Sequence, residues 1–124
     1  MEQKGKIRNF NDLNAWQQGH KLVLLIYKFT RKFPRDEMFG LTNQMRRAAV
    51  SVTSNIAEGF SRGTVRDKCQ FYLISQGSLT EIQSQSFIAL DESYITKDEF
   101  DEVYNQSILV NKLINGLRRI GNVL

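Results

Sequence analysis

Several residue types are scarce in this 124-residue chain, and each scarcity excludes a class of structure. Cys69 is the only cysteine, so an intrachain disulfide is excluded; we expect a reducing cytoplasm and a partly buried helical thiol. Pro34 is the only proline, and the eight glycines lie mostly near segment ends, which favours long helices over a β-rich fold. The longest apolar run, residues 22–27, is far shorter than the ~20 residues of a membrane-spanning helix, so no membrane association is expected.

Groups for catalysis or metal binding are scarce as well. His20 is the only histidine, and its place on an apolar face predicts a core residue rather than a ligand. One histidine cannot supply the paired Glu-x-x-His motifs of a di-iron bundle, and no Cys/His cluster is present for zinc. The segment from Gly59 to Gly63 lacks the phosphate-loop pattern, and Ser51 has no base to activate it. The sequence therefore predicts a protein that is not an enzyme and has no metal or cofactor.

Charge is present in quantity and is unevenly distributed. Residues 1–68 contain 13 Lys/Arg against 6 Asp/Glu, whereas residues 69–124 contain 4 against 7. A basic half attracts phosphate, but the two halves can equally attract each other within a bundle or between subunits. The length is that of one domain, residues 1–124.

Apolar residues recur at the helical spacing of about 3.6 in four segments. They predict helices at about residues 12–32, 41–60, 64–93 and 97–120. Four amphipathic helices with short joints predict an all-α, antiparallel up-down-up-down four-helix bundle.

The ends of these helices carry recognisable signals. Pro34 ends the first helix, for which Asn11 or Asp12 is the predicted N-cap. The predicted N-terminal signals of the third and fourth helices are Thr64 and the capping box Thr96-Lys97-Asp98-Glu99. Three glycines also have predicted roles. They are Gly59 and Gly63, expected as left-handed C-terminal residues, and Gly77, expected at a close helix crossing.

The first helix carries two neighbouring apolar strips, which is more than a single bundle usually requires. The extra strip suggests deep burial or a subunit interface. The first strip holds Leu13, Trp16, His20, Val23, Leu24 and Tyr27. The second strip holds Ala15, Leu22, Ile26, Phe29 and Phe33. The predicted core positions of the second helix are Leu41, Met45, Ala48, Val52 and Ile56. Those of the third and fourth helices are Phe71, Ile74, Ser78, Ile82, Ala89, Phe100, Val103, Ser107, Val110, Ile114 and Leu117.

The second helix carries a polar stripe beside its apolar face. The residues of the stripe are spaced by three or four positions, which places them on one side of the helix. These residues are Gln44, Arg47, Ser51, Asn55, Glu58 and Arg62. Arg47 is placed to pair with Glu81 of the third helix or with Glu58 of a neighbouring copy. We interpret the stripe as a structural network that fixes helix register or subunit packing. A ligand-binding or catalytic role is the alternative.

A basic stripe on the first helix is the best candidate for nucleic-acid binding, because lysine and arginine bind phosphate without reading sequence. Its residues are Lys21, Lys28 and Lys32, joined by Arg35 and by the tail residues Lys4, Lys6 and Arg8. Arg46 on the second helix is a further candidate. A solvated helix face is the competing interpretation of the stripe. Trp16 and Tyr27 are expected in the core rather than as base-stacking platforms.

Several longer motifs carry a resemblance to a known family. They are Phe10-x-Asp12-Leu13-x-x-Trp16, Phe33-Pro34, Glu37, Phe39-Gly40-Leu41, Gln44, Arg46-Arg47-Ala48-Ala49, Ser51, Asn55-Ile56-Ala57-Glu58-Gly59 and Gly77-Ser78-Leu79-x-Glu81. Together they resemble the proteins encoded by intervening sequences inside bacterial large-subunit ribosomal RNA genes. Val52-Thr53 departs from that pattern, since an isoleucine-proline is common there.

The resemblance implies a four-helix bundle that assembles into a ring, a homopentamer. It also implies distant kinship to accessory proteins of diversity-generating retroelements, which contact a reverse transcriptase and nucleic acid, and it implies no established catalytic activity. The leading hypothesis is an oligomeric accessory protein that binds RNA or another nucleic acid through a basic surface. The alternative is a protein–protein interaction module without a nucleic-acid role.

Overall fold

The computed structural model describes residues 6–123, with side chains for residues 6–120. Its helices are α1 (Asn14–Thr30), α2 (Leu41–Phe60), α3 (Val65–Asp91) and α4 (Lys97–Val123). Short 3₁₀ turns at Phe10–Asp12 and Arg35–Glu37 precede α1 and α2. Residues 6–123 contain no strand, so the all-α prediction is confirmed.

The four helices pack as a square around one apolar core. α1 contacts α2 and α4, and α3 contacts the same two helices. Short joints make consecutive helices antiparallel, and a hydrogen bond from Gln106 Nε2 to the backbone oxygen of Gln18, at 2.9 Å, joins the last helix to the first. The square has four outer faces, which we name by their helix pairs: α1/α2, α2/α3, α3/α4 and α4/α1.

The two strips of α1 differ in their surroundings. The second strip is buried throughout, from Ala15 to Phe33, whereas Leu24 in the first strip is 56% exposed. Gly19 is buried with the second strip, and a Cβ there would lie 3.1 Å from Thr53 Cγ2, so α2 approaches α1 closely on this side. The prediction of a core histidine is wrong, because His20 is exposed and its ring stacks on Trp16 at a centroid distance of 4.9 Å.

The core positions of α2 are confirmed, since all five predicted residues are buried. The prediction for α3 is partly wrong, because Ile74 is 52% exposed and Ser75 is fully buried. The buried hydroxyl is tolerated because Ser75 Oγ donates a hydrogen bond to the backbone oxygen of Val52 at 2.8 Å. On α4 the predicted residues from Phe100 to Ile114 are buried, and Leu117 packs against them.

Two of the three predicted helix starts are confirmed. Thr64 Oγ1 accepts from the backbone N–H of Asp67 at 3.2 Å. Thr96 and Glu99 form the reciprocal capping box, with distances of 2.9 and 3.1 Å. The prediction for α1 is wrong: its N-cap is Leu13, while the Asp12 carboxylate accepts the backbone N–H groups of residues 8 and 9 and closes the preceding turn.

The glycine predictions are corrected by the structure. No glycine among the described residues has a positive φ, so neither Gly59 nor Gly63 is left-handed. Gly59 is buried within α2, where an added Cβ would lie 2.7 Å from Tyr72 Cε1. Gly77 is exposed with no neighbour within 4 Å of such a Cβ, so it marks no close crossing. The left-handed residue is Ser93 (φ 63°), which ends α3.

None of the helices in residues 6–123 is both long enough and apolar enough to cross a membrane.

Candidate nucleic-acid interface

Three lysines form one row along the solvent side of α1, and we call Lys21, Lys28 and Lys32 the lysine row. Their spacing of seven and four residues keeps them on one side of the helix. Lys32 forms an ion pair with Glu99 of α4, which places the row on the α4/α1 face. Lys21 and Lys28 are exposed and make no ion pair with any residue in the described range. Two of the three ammonium groups are thus available to a phosphate.

The third ammonium group is committed to the bundle. The hydrogen bond from Lys32 holds the pKa of Glu99 below its usual value, and the backbone N–H of Thr96 acts in the same direction. The ion pair bridges the end of α1 to the start of α4. Lys32 therefore links two helices, and Lys21 and Lys28 carry the unpaired charge of the row.

The other basic candidates lie elsewhere. Arg46 projects from α2 toward α1, where its Nε donates to Thr30 Oγ1 at 2.9 Å and its guanidinium lies 4.7 Å from the centroid of the Tyr27 ring. This contact is on the α1/α2 face. Arg35 is exposed in the 3₁₀ turn before α2. The structure therefore does not gather the lysine row, Arg35 and Arg46 into one surface. Among the tail residues, Lys6 and Arg8 are exposed near the start of α1, and Lys4 lies outside the described residues.

The centre of the polar stripe is a small hydrogen-bond network between α2 and α3. Asn55 Nδ2 donates to Ser51 Oγ at 3.0 Å and to the backbone oxygen of Ser51 at 2.8 Å. Ser78 Oγ of α3 donates to Ser51 Oγ at 2.8 Å. The Ser78–Ser51 contact joins facing positions of two helices, which favours the structural interpretation for this part of the stripe.

The ends of the stripe are more open. Gln44, Arg47 and Glu81 line a surface groove of about 490 Å³ on the α2/α3 face. Arg47 and Glu81 share this groove without forming an ion pair, so within the described chain the predicted pairing is not made. Glu58 instead pairs with Arg62, four residues along the chain, at 2.5 Å. The Arg47 charge is therefore exposed to solvent on the outer side of α2, where it also borders a groove with Tyr27 on the α1/α2 face.

Apolar side chains cover much of the α1/α2 face, and we call this the first apolar face. Trp16, Val23 and Tyr27 are half-buried there, and Leu24 and Val50 are 56% and 41% exposed. The unexpected exposure of the first strip of α1 produces this surface. A monomer rarely exposes a continuous apolar strip of this kind unless the strip binds something.

A second apolar face lies on the opposite side of the bundle, between α3 and α4. Leu73, Phe87 and Ile108 are 50%, 49% and 43% exposed. The Phe87 ring packs edge-on against Tyr104 at a centroid distance of 5.9 Å, which ties this surface to α4. This surface was not predicted from the sequence. The signal in the sequence that could have revealed it is the apolar sector of α3, which is wider than one buried face needs.

The remaining polar groups form no metal centre, since residues 6–123 contain no cluster of three or more His, Cys, Asp or Glu side chains placed to hold an ion. Cys69 is partly buried, as predicted. Burial raises the pKa of the neighbouring Tyr72 hydroxyl.

Comparisons with known proteins agree with this fold. A family model described as 23S rRNA-intervening sequence protein matches residues 11–116. A solved structure from Bacteroides thetaiotaomicron, described as a protein with unknown function from the S23 ribosomal protein family, superimposes with a TM-score of 0.78. It is 18% identical, and the match covers 85% of this chain and 95% of the other. No curated protein matches this chain.

Proposed function

Because the chain belongs to the 23S rRNA-intervening sequence protein family, we propose that it is a non-enzymatic oligomeric protein that binds RNA through the lysine row. The observation that carries the proposal is the arrangement of four distinct outer faces. Two opposite faces are apolar, and the lysine row lies on one of the two faces between them. Lateral association through the apolar faces would leave the lysine row of every copy in solvent.

The two apolar faces favour a ring over a two-fold dimer. A two-fold interface uses the same patch on both subunits, whereas contact between two different patches repeats from copy to copy and gives a ring where the rotation between copies closes the series. The first face carries Trp16 and Leu24, and the second carries Leu73 and Phe87, so the patches differ. Five copies is the number that the family resemblance implies, and it belongs to the proposal.

Repetition would convert weak contacts into useful affinity. Two exposed lysines per copy bind phosphate weakly, but the first contact raises the effective concentration of all the others in a ring. If ten lysines contacted a single-stranded RNA, the logarithm of the binding constant would fall with that of the salt concentration at a slope of about −7. A slope of about −1.4 would indicate contact through the two lysines of one copy.

A charge-matched pair of variants tests the position of the interface. Lys28→Glu and Arg47→Glu each change the charge of a copy by the same amount, at exposed residues on different helices. We expect Lys28→Glu to weaken binding to structured ribosomal RNA at least tenfold at low salt and Arg47→Glu to have little effect. The reverse ranking would move the interface to the α2/α3 groove and refute the lysine row.

The alternative function is a protein–protein interaction module, and the exposed apolar faces are the observation that favours it. An intact assembly that binds no RNA near physiological salt would support this alternative. Binding that persists unchanged in high salt would also count against phosphate recognition.

A further inference from the structure

An exposed aromatic side chain marks one end of the bundle. Phe39 is 91% exposed and follows Met38, which is 54% exposed, in the joint between α1 and α2. The joint is held firmly, because the Glu37 carboxylate accepts the backbone N–H of Leu41 at 3.0 Å and the Tyr94 hydroxyl at 2.9 Å. A phenyl ring presented to water on an anchored joint is suited to insert into an apolar pocket.

An apolar pocket lies at the opposite end of the bundle. It has a volume of about 270 Å³, and its lining includes Leu13, Phe60, Val65, Cys69, Tyr72 and Ile120. A cavity of about 150 Å³ already accepts benzene, so a phenyl group fits in this one. The rim is apolar too, since Val65 and Ile120 are 37% and 61% exposed.

The two ends also carry opposite charge. The end with Phe39, residues 31–40 and 91–101, contains seven Asp/Glu against four Lys/Arg. The end with the pocket, residues 6–12, 58–68 and 117–120, contains seven Lys/Arg against three Asp/Glu. Antiparallel packing produces this polarity by bringing together segments that are distant in sequence. Complementary potentials of this kind orient two surfaces as they meet.

We propose that the bundle docks end to end with a second copy of itself, with Phe39 of one copy in the apolar pocket of the next. The acidic end of the first copy then faces the basic end of the second. The two patches differ, so the contact is heterologous and repeats along the bundle axis. This axial contact uses neither the lysine row nor the two apolar faces, so it can be tested independently of RNA binding.

A cysteine pair tests the contact directly. Cys69 lines the pocket, and Met38→Cys places a second thiol beside Phe39 without removing the ring. Residue 38 precedes the start of α2, whereas Cys69 lies near the start of α3, beside the end of α2. The 20 residues of α2 span about 30 Å, so the two thiols cannot bridge within a copy. Mild oxidation of Met38→Cys should give a ladder of disulfide-linked copies, and adding Cys69→Ser should abolish it. Leu109→Cys, with a 40% exposed parent residue on α4, is the matched control and should give no ladder.

Removal of the ring provides a second, independent measurement. Phe39→Ala should weaken concentration-dependent association in sedimentation velocity by about tenfold to a hundredfold, since the ring is buried only in the contact. Leu109→Ala should not, and added salt should weaken the wild-type association. Equal association of Phe39→Ala and wild type, together with no ladder, would overturn the proposal. The same result would be obtained if the chain's own termini filled the pocket.

Discussion

Gly59→Ala should destabilise the protein, although alanine normally favours a helix. The substitution gains at most about 1 kcal/mol of intrinsic helix propensity, since Gly59 lies in the last turn of α2. The new Cβ would lie 2.7 Å from Tyr72 Cε1 and 3.0 Å from the backbone oxygen of Lys68. Tyr72 is only 4% exposed and Lys68 is part of α3, so neither neighbour moves aside cheaply. Overpacking of this kind costs about 1–3 kcal/mol, and here the upper end applies because one contact is with backbone. We expect a net loss of about 1–2 kcal/mol in the free energy of unfolding.

Gly77→Ala is the control, because Gly77 lies in the middle of α3 and has nothing within 4 Å of the new Cβ. It should gain about 1 kcal/mol. Urea denaturation followed by circular dichroism, at one protein concentration for all variants, measures both changes. If both substitutions stabilised the protein, the close approach of α2 and α3 at Gly59 would be refuted.

Three further predictions concern a helix end, an ion pair and a surface. Ser93→Gly should stabilise the protein by about 1 kcal/mol in the same assay, because glycine adopts the left-handed conformation at φ 63° without a Cβ penalty; a loss would contradict this account of the end of α3. Glu99→Gln should lower stability at pH 7, and the loss should shrink as the pH is lowered. Lys32 lowers the folded pKa of Glu99 from its usual 4.5, so the contribution exists above that value and is lost as the pH falls through the folded pKa. A constant difference across this range would exclude the ion pair as its cause. Leu73→Glu should reduce the mass of the assembly without loss of helix content, whereas Leu109→Glu should not, and equal masses would refute a role for the second apolar face.

Much of the fold follows from local signals in the sequence. The bounds of α2 and the caps at Thr64 and Thr96 depend on residues within one turn of each other, so pattern reasoning found them. Which of the two strips of α1 faces the core is not decided by signals within α1 alone. Both strips are apolar, and the deciding residue is Gly19, whose missing side chain lets α2 approach. Glycine contributes nothing to an apolar pattern, so periodicity alone could not show which strip faces the core.

In the candidate site, too, the properties of a single helix could be predicted from the sequence, whereas contacts between helices could not. Helical spacing placed the lysine row on one face, because that property depends on a single helix. The pairing of Lys32 with Glu99 depends on two residues 67 positions apart. Arg46 was grouped with the lysines by charge, yet its hydrogen bond to Thr30 directs it to the α1/α2 face. Charge and spacing identify candidates, but packing decides which of them share a surface.

The most direct test of the proposed function is the mass of the particle in solution, measured by light scattering with and without structured ribosomal RNA at two salt concentrations. With a chain of 14.4 kDa, a five-copy ring has a mass of about 72 kDa. The mass should be measured at a protein concentration low enough to disfavour end-to-end docking. The proposal predicts a further gain in mass with RNA at low salt that is lost at high salt. A particle of one copy that gains no mass with RNA would contradict both the assembly and the phosphate contacts.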